Sequence, residues 1–212
     1  ITGESNIHNV VGLQPVSQNA KFTNYIALNP NADYIIISHS SLMGNSGNLA
    51  TANDYGLYRN SVGYNSLVVD VEQLYHQFSY GIRKNPLAVR NFIRTLGETY
   101  SYSQFRGLFI IGKSYRANDY RKNFSLFNGT LVPTMGTPPS DIQLVSGLVD
   151  NLYKPAIPIG RLSAMNLEHV DLYLDKMIMH EDRINNPQDI WMKRIMHFSG
   201  GSTAVEQSNF AG

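Results

Sequence analysis

Tyr34-Ile35-Ile36-Ile37-Ser38 is a continuous β-branched run bounded by polar residues. A half-solvated strand alternates apolar and polar side chains, so an unbroken apolar run of this length predicts a strand buried on both faces. Two runs of the same kind follow it, Ser66-Leu67-Val68-Val69-Asp70 and Gly107-Leu108-Phe109-Ile110-Ile111-Gly112. Helical spacing fills the intervals. A weakly amphipathic stretch from about Asn48 to Ser61 ends near Gly63, and Leu74, Tyr75 and Phe78 recur one helical turn apart. Asn85-Pro86 places a capping side chain before a proline, which predicts a helix with Leu87, Phe92, Ile93 and Leu96 as its buried face. Strands alternating with helices in this way predict an α/β fold in three layers, a mostly parallel sheet with helices on both faces.

Farther out the texture changes. Residues 1–31 are rich in Asn, Ser, Gly and Gln, which predicts a linker or the end of a preceding β-domain, with the main domain over 32–212. From Lys113 to Ser140 no period is visible, a length at which an excursion is either functional or a small hairpin. Ala156-Ile157-Pro158-Ile159-Gly160 returns to strand character, and its proline suits an edge or a strand start. Leu167, Val170, Leu174, Met177 and Ile178 form one stripe of a helix from about Asn166 to Glu181. Trp191 to Phe198 is a last strand candidate, followed by the loop Gly200-Gly201-Ser202-Thr203. Another helix is due where the sequence stops at Gly212, so the domain is expected to be truncated there. Likewise Ile1 opens with neither Met nor a signal-type core, so upstream residues are expected to have been removed.

Composition narrows the function classes. A hydrophobic share of 42% with 16% charged residues fits a packed core. Seventeen basic and sixteen acidic residues leave a net charge of +1 and no clustered basic face, which argues against a nucleic-acid partner. No apolar run reaches the length of a membrane-spanning helix. With no cysteine, the sequence has no disulfide, thiolate metal site or thiol nucleophile.

Taken in order and spacing, the segments ADYIIISH (Ala32 to His39), LVVDVEQLYHQFSYGIRKNPLAVRNFI (Leu67 to Ile93), GLFIIGKS (Gly107 to Ser114), VPTMGTPPSD (Val132 to Asp141), PAIPIGRL (Pro155 to Leu162), YLDKMIMHED (Tyr173 to Asp182), Trp191 and HFSGG (His197 to Gly201) form one series. That series resembles the amino-terminal subdomain of the gingipain-type cysteine peptidase domain of secreted and surface proteins of Bacteroidetes. VSQNAKF (Val16 to Phe22) is similar to the linker that precedes such domains. The resemblance implies a caspase-like fold of two subdomains, the second of which supplies the nucleophilic Cys and a His in a Gly-His-Gly turn. It therefore implies no catalytic residue in this chain, which would act as a non-catalytic first half giving structural support and part of the substrate cleft. Its partners would be the downstream catalytic subdomain of the same polypeptide and a peptide or protein substrate. A location outside the cell or on its surface, reached by type IX secretion, is implied as well. A catalytically inactive adhesion or protein-binding module of the same fold is the alternative. Some members use an acid in the Gly-Gly turn to orient the His; here that turn reads Phe198-Ser199-Gly200-Gly201, without one.

Several residues carry chemistry. His39 closes the first strand, where open α/β sheets gather ligand groups, although a loop histidine also serves as a local hydrogen-bonding group. Ser140-Asp141 after two prolines is placed to cap a turn, to bind calcium or to border a substrate cleft. No cofactor is required, and calcium has no assigned ligands because no EF-hand spacing occurs. Gly160, Arg161, Gly200 and Gly201 are structural turn candidates, with Arg161 expected to make an ion pair or bind loop carbonyls. His180-Glu181-Asp182 lacks a second His at the spacing zinc needs, since Ile184 stands there. No G-x-S-x-G elbow and no G-x-G-x-x-G cradle is present, which disfavours serine hydrolysis and a flavodoxin-like small-molecule site. Asn123-Phe124-Ser125 and Asn128-Gly129-Thr130 fit the glycosylation acceptor pattern and mark a polar surface loop.

Overall fold

A computed structural model describes residues 22–44, 47–149, 151–185, 194–195 and 200–211. The expected linker over residues 1–21 and most of the expected strand from Trp191 to Phe198 lie outside the described residues. The chain divides into two compact units, residues 1–174 and 175–212.

The first unit is built on four parallel strands, β1 (Tyr34–Ser38), β2 (Ser66–Asp70), β3 (Gly107–Ile111) and β4 (Ile159–Leu162), in the order β2-β1-β3-β4. Ile36 lies beside Val68 on one side and Phe109 on the other, and Phe109 beside Gly160. Successive side chains of a strand point to opposite faces, so this register sorts the sheet into two apolar surfaces.

On one face Ile35, Ile37, Leu67, Val69, Leu108 and Ile110 are buried in a single cluster. Two helices complete it. From α3 (Val71–Phe78) come Val71, Leu74 and Tyr75, and from α4 (Leu87–Tyr100) come Ala88, Val89, Phe92, Ile93 and Leu96. The opposite face meets α2 (Ala52–Ser61) and the start of α7 (Leu167–Asn185). Tyr55 of α2 stacks on Phe109 with ring centroids 5.1 Å apart, and Tyr173 of α7 lies 5.7 Å from the same ring. Gly56 brings α2 close: a Cβ there would lie 2.6 Å from Val68 Cγ2. Helices thus cover both faces, and among the described residues the sheet is parallel throughout.

Local chemistry sets the element ends. Thr51 and Asp54 form a reciprocal capping box, so α2 begins at Ala52 and not near Asn48. Asn85 Oδ1 accepts the Leu87 N–H, and α4 starts one residue after Pro86. Leu87 is 43% exposed, which corrects its expected place on the buried face; Ala88 and Val89 take that role. β4 begins at Ile159 instead of Ala156, because Pro158 has no N–H to give the ladder and contributes only its carbonyl, to Leu108 N–H. The excursion after β3 holds two short helices, α5 (Ala117–Tyr120) and α6 (Phe124–Gly129), then one antiparallel bridge between Met135 and Ser140. A short helix, α1 (Tyr25–Leu28), capped by Asn24, precedes β1. Apart from the end of α7, the second unit contains α8 (Ala204–Ala211), with Glu206 accepting from Ser202 and Thr203 ahead of it.

Candidate functional site

All four strands end on the same side, and the chain crosses from β2 over β1 to reach β3, so the carboxyl ends of β1 and β3 flank the topological switch point. Ser38, fully buried, donates from Oγ to Ile111 O at 2.9 Å and ties these two ends together. A network of charged groups lies to either side of that tie.

Beside β1 and β2 the network is made of His39, Asp70, Glu72 and Arg83. Asp70 caps α3 by accepting the Glu72 N–H at 3.0 Å, and it also accepts from the Ser40 backbone. Burial nevertheless raises the Asp70 pKa above its ordinary value. Glu72 moves the other way, down to about 2, because His39 hydrogen-bonds to it and Arg83 then adds hydrogen bonds and charge. Arg83 reaches it with two nitrogens, each at 3.2 Å. His39 Nε2 lies 3.4 Å from Glu72 Oε1, while Nδ1 accepts the Ser41 N–H at 3.1 Å and caps the 3-10 turn Ser40–Leu42. His39 therefore makes the local bond expected of a loop histidine and faces a carboxylate as well.

Beside β3 and β4 the centre is Arg161, whose side chain is only 9% exposed. Its Nε and one terminal nitrogen donate to the two Asp141 oxygens, both at 2.7 Å. The remaining donors reach Gly112 O at 2.6 Å, Val132 O at 2.8 Å and Pro133 O at 3.3 Å. Asp141 spends both oxygens on this guanidinium, which places it in an ion pair and not in an open ligand set. Ser140 precedes the 3-10 turn Asp141–Leu144 without the expected side-chain capping bond, and its backbone N–H donates to Met135 O. Gly160 and Arg161, expected in a turn, lie inside β4, where Gly160 leaves room for the Phe109 ring. Gly201 lies in the loop ahead of α8 at φ +124, where a Cβ would come 2.8 Å from Glu206 Cβ; Gly200 is exposed beside it.

The structure thus brings Asp141 to Arg161 and gives His39 a separate set of partners. Asp70, Glu72 and Arg83 escaped the reading of the sequence. The first two stand at the end of an apolar run, a visible signal, but Arg83 is eleven residues from Glu72 in a loop without a period. An open cavity of about 590 Å³ lies next to the loop after β1, lined by Met43, Asn48, Thr51, Asn53, Asp54 and Asp171 among others. Among the described residues no group of three or more His, Cys, Asp or Glu is arranged to hold a metal, and no helix is long and apolar enough to cross a membrane. Glu72, ionised and held by a guanidinium, is a weak proton acceptor, and the sequence offers no thiol.

No curated protein and no solved structure matches the chain. A family model does: that of peptidase family C25 matches residues 27–211, which takes in every strand and all but the first residues of the described chain. An all-parallel α/β sheet with helices around it agrees with the caspase-like fold of that family. The chain belongs to peptidase family C25, the gingipain family, and its sheet is part of a gingipain-type peptidase domain.

Proposed function

We propose that this chain is the non-catalytic first half of a gingipain-type cysteine endopeptidase domain, giving structural support and part of the substrate cleft to a second half that carries the Cys and His on the same polypeptide. One observation carries the proposal: the family match runs over residues 27–211, yet the sequence contains no cysteine. A Cys–His pair works because the imidazole holds the thiol as a thiolate and then protonates the leaving amine, and neither Ser nor a carboxylate at these strand ends replaces that nucleophile. The ion pairs at the carboxyl ends support a scaffold role, since their charged groups are bound to one another. Family membership supports a peptide or protein substrate and a place outside the cell or on its surface.

The purified chain is expected to turn over no member of a peptide library. The longer polypeptide that contains it is expected to cleave peptides and to lose that activity on thiol alkylation. Alkylation-sensitive cleavage by the chain alone would refute the division of labour. A parent that folds but cleaves nothing would instead favour an inactive adhesion or protein-binding module.

A further inference from the structure

Histidine is the side chain whose charge ordinarily changes between about pH 5 and 8, and His39 is the histidine of the strand-end network. Its Nδ1 accepts the Ser41 N–H, and Ser41 Oγ lies 2.8 Å from the same nitrogen. An imidazole nitrogen that accepts carries no hydrogen, so neutral His39 holds its proton on Nε2, the nitrogen facing Glu72. Three charged groups surround the ring: Glu72 from α3, Asp70 from the end of β2, and Arg83 from the loop after α3.

We propose that His39 is a proton-operated latch on the loop that follows β1, capping the turn Ser40–Leu42 through the Ser41 N–H when neutral and withdrawing that cap when protonated. Protonation places a hydrogen on Nδ1, where it meets the Ser41 N–H, and two donors cannot share one bond. The Ser41 hydroxyl can rotate to accept from the new Nδ1–H, whereas the backbone N–H has no such freedom and loses its partner. On the far side Nε2–H becomes the donor of an ion pair with Glu72. Asp70 adds attraction, and Arg83, which already occupies Glu72, opposes the charge. The ring therefore stays against α3 while the Ser41 N–H loses its cap, and the turn is left on its backbone bonds from Leu42 N–H to His39 O and Met43 N–H to Ser40 O. Met43, Gly44 and the residues from Gly47 to Thr51 follow that turn in the sequence and wall the cavity of about 590 Å³, so the latch acts on the rim of that cavity. This device is independent of where the family's thiol lies.

Nuclear magnetic resonance on the full chain tests it, with the His39 ring and the Ser41 amide followed from pH 8 to pH 5. Protection of the Ser41 amide from hydrogen exchange is expected to fall about tenfold, as loss of an N-cap bond implies. Its midpoint should match that of the His39 ring. In His39→Asn the cap persists without a titrating group, so protection should no longer depend on pH. Glu72→Gln should move the wild-type midpoint to lower pH. Unchanged Ser41 protection while the ring titrates would overturn the latch, and so would an equal fall in the Asn variant.

Discussion

Arg161 shows how much one side chain can organise when its donors are all used. Five contacts run from its guanidinium to Asp141, Gly112, Val132 and Pro133, joining β4 to the loop after β3 and to the turn that follows the excursion. Lysine carries the same charge but has a single nitrogen, so it cannot grip both Asp141 oxygens and three carbonyls together. Arg161→Lys is therefore expected to destabilise the protein by about 3 kcal/mol, the scale of breaking a buried pair while leaving its partner in place. Urea unfolding checks this: the midpoint should drop with little change in slope. A loss below about 1 kcal/mol would mean that the pair behaves as an exposed one.

Among the elements, the contact of α2 with the sheet sets a test with a counterintuitive sign. Glycine inside a helix costs about 1 kcal/mol relative to alanine, so helix propensity alone predicts that Gly56→Ala stabilises. The built Cβ, however, would sit 2.6 Å from Val68 Cγ2 and 3.3 Å from Ser66 Oγ. Val68 is β-branched and stiff about χ1, so relief requires α2 to move off the strand. Net destabilisation of about 1 to 3 kcal/mol is expected from overpacking, measured by thermal or urea unfolding; a stabilised variant would show that the layer yields easily. The same element shows what could be read in advance. Strands β1, β2 and β3 were legible because an apolar run is a one-dimensional signal of burial on both faces. Gly56 carried no such signal, since its reason is Val68, twelve residues on and in another layer. The Glu72–Arg83 pair was hidden for a like cause, since only the fold brings its two segments together; for Arg161 the kind of contact, an ion pair or loop carbonyls, was expected, but not which residues supply it. Leu87 misled because hydrophobicity marks a helix face only where a neighbour exists to cover it.

For the molecule as a whole, the strand-end charges bear on how stability varies with pH. Glu72 has a folded-state pKa lowered to about 2, so its contribution is present above the unfolded value and is lost as pH falls toward 2. Asp70 has the opposite sign: its folded pKa is raised, so its ionisation opposes folding and acid relieves that cost. Glu72 outweighs it, because its two-nitrogen grip on Arg83 and its contact with His39 favour the carboxylate, whereas the Asp70 shift is burial only partly offset by hydrogen bonds. Stability should accordingly decline between about pH 5 and pH 2. Glu72→Gln isolates the effect: at pH 7 it is expected to cost about 2 kcal/mol, allowing for the screening of a half-exposed Arg83. At pH 2.5, roughly midway into the titration of the wild-type carboxyl, that cost should shrink to a fraction of its neutral value. Urea unfolding of both proteins at the two pH values measures the difference, and a cost that is the same at each would show that Glu72 acts through packing or a neutral hydrogen bond instead of through its charge.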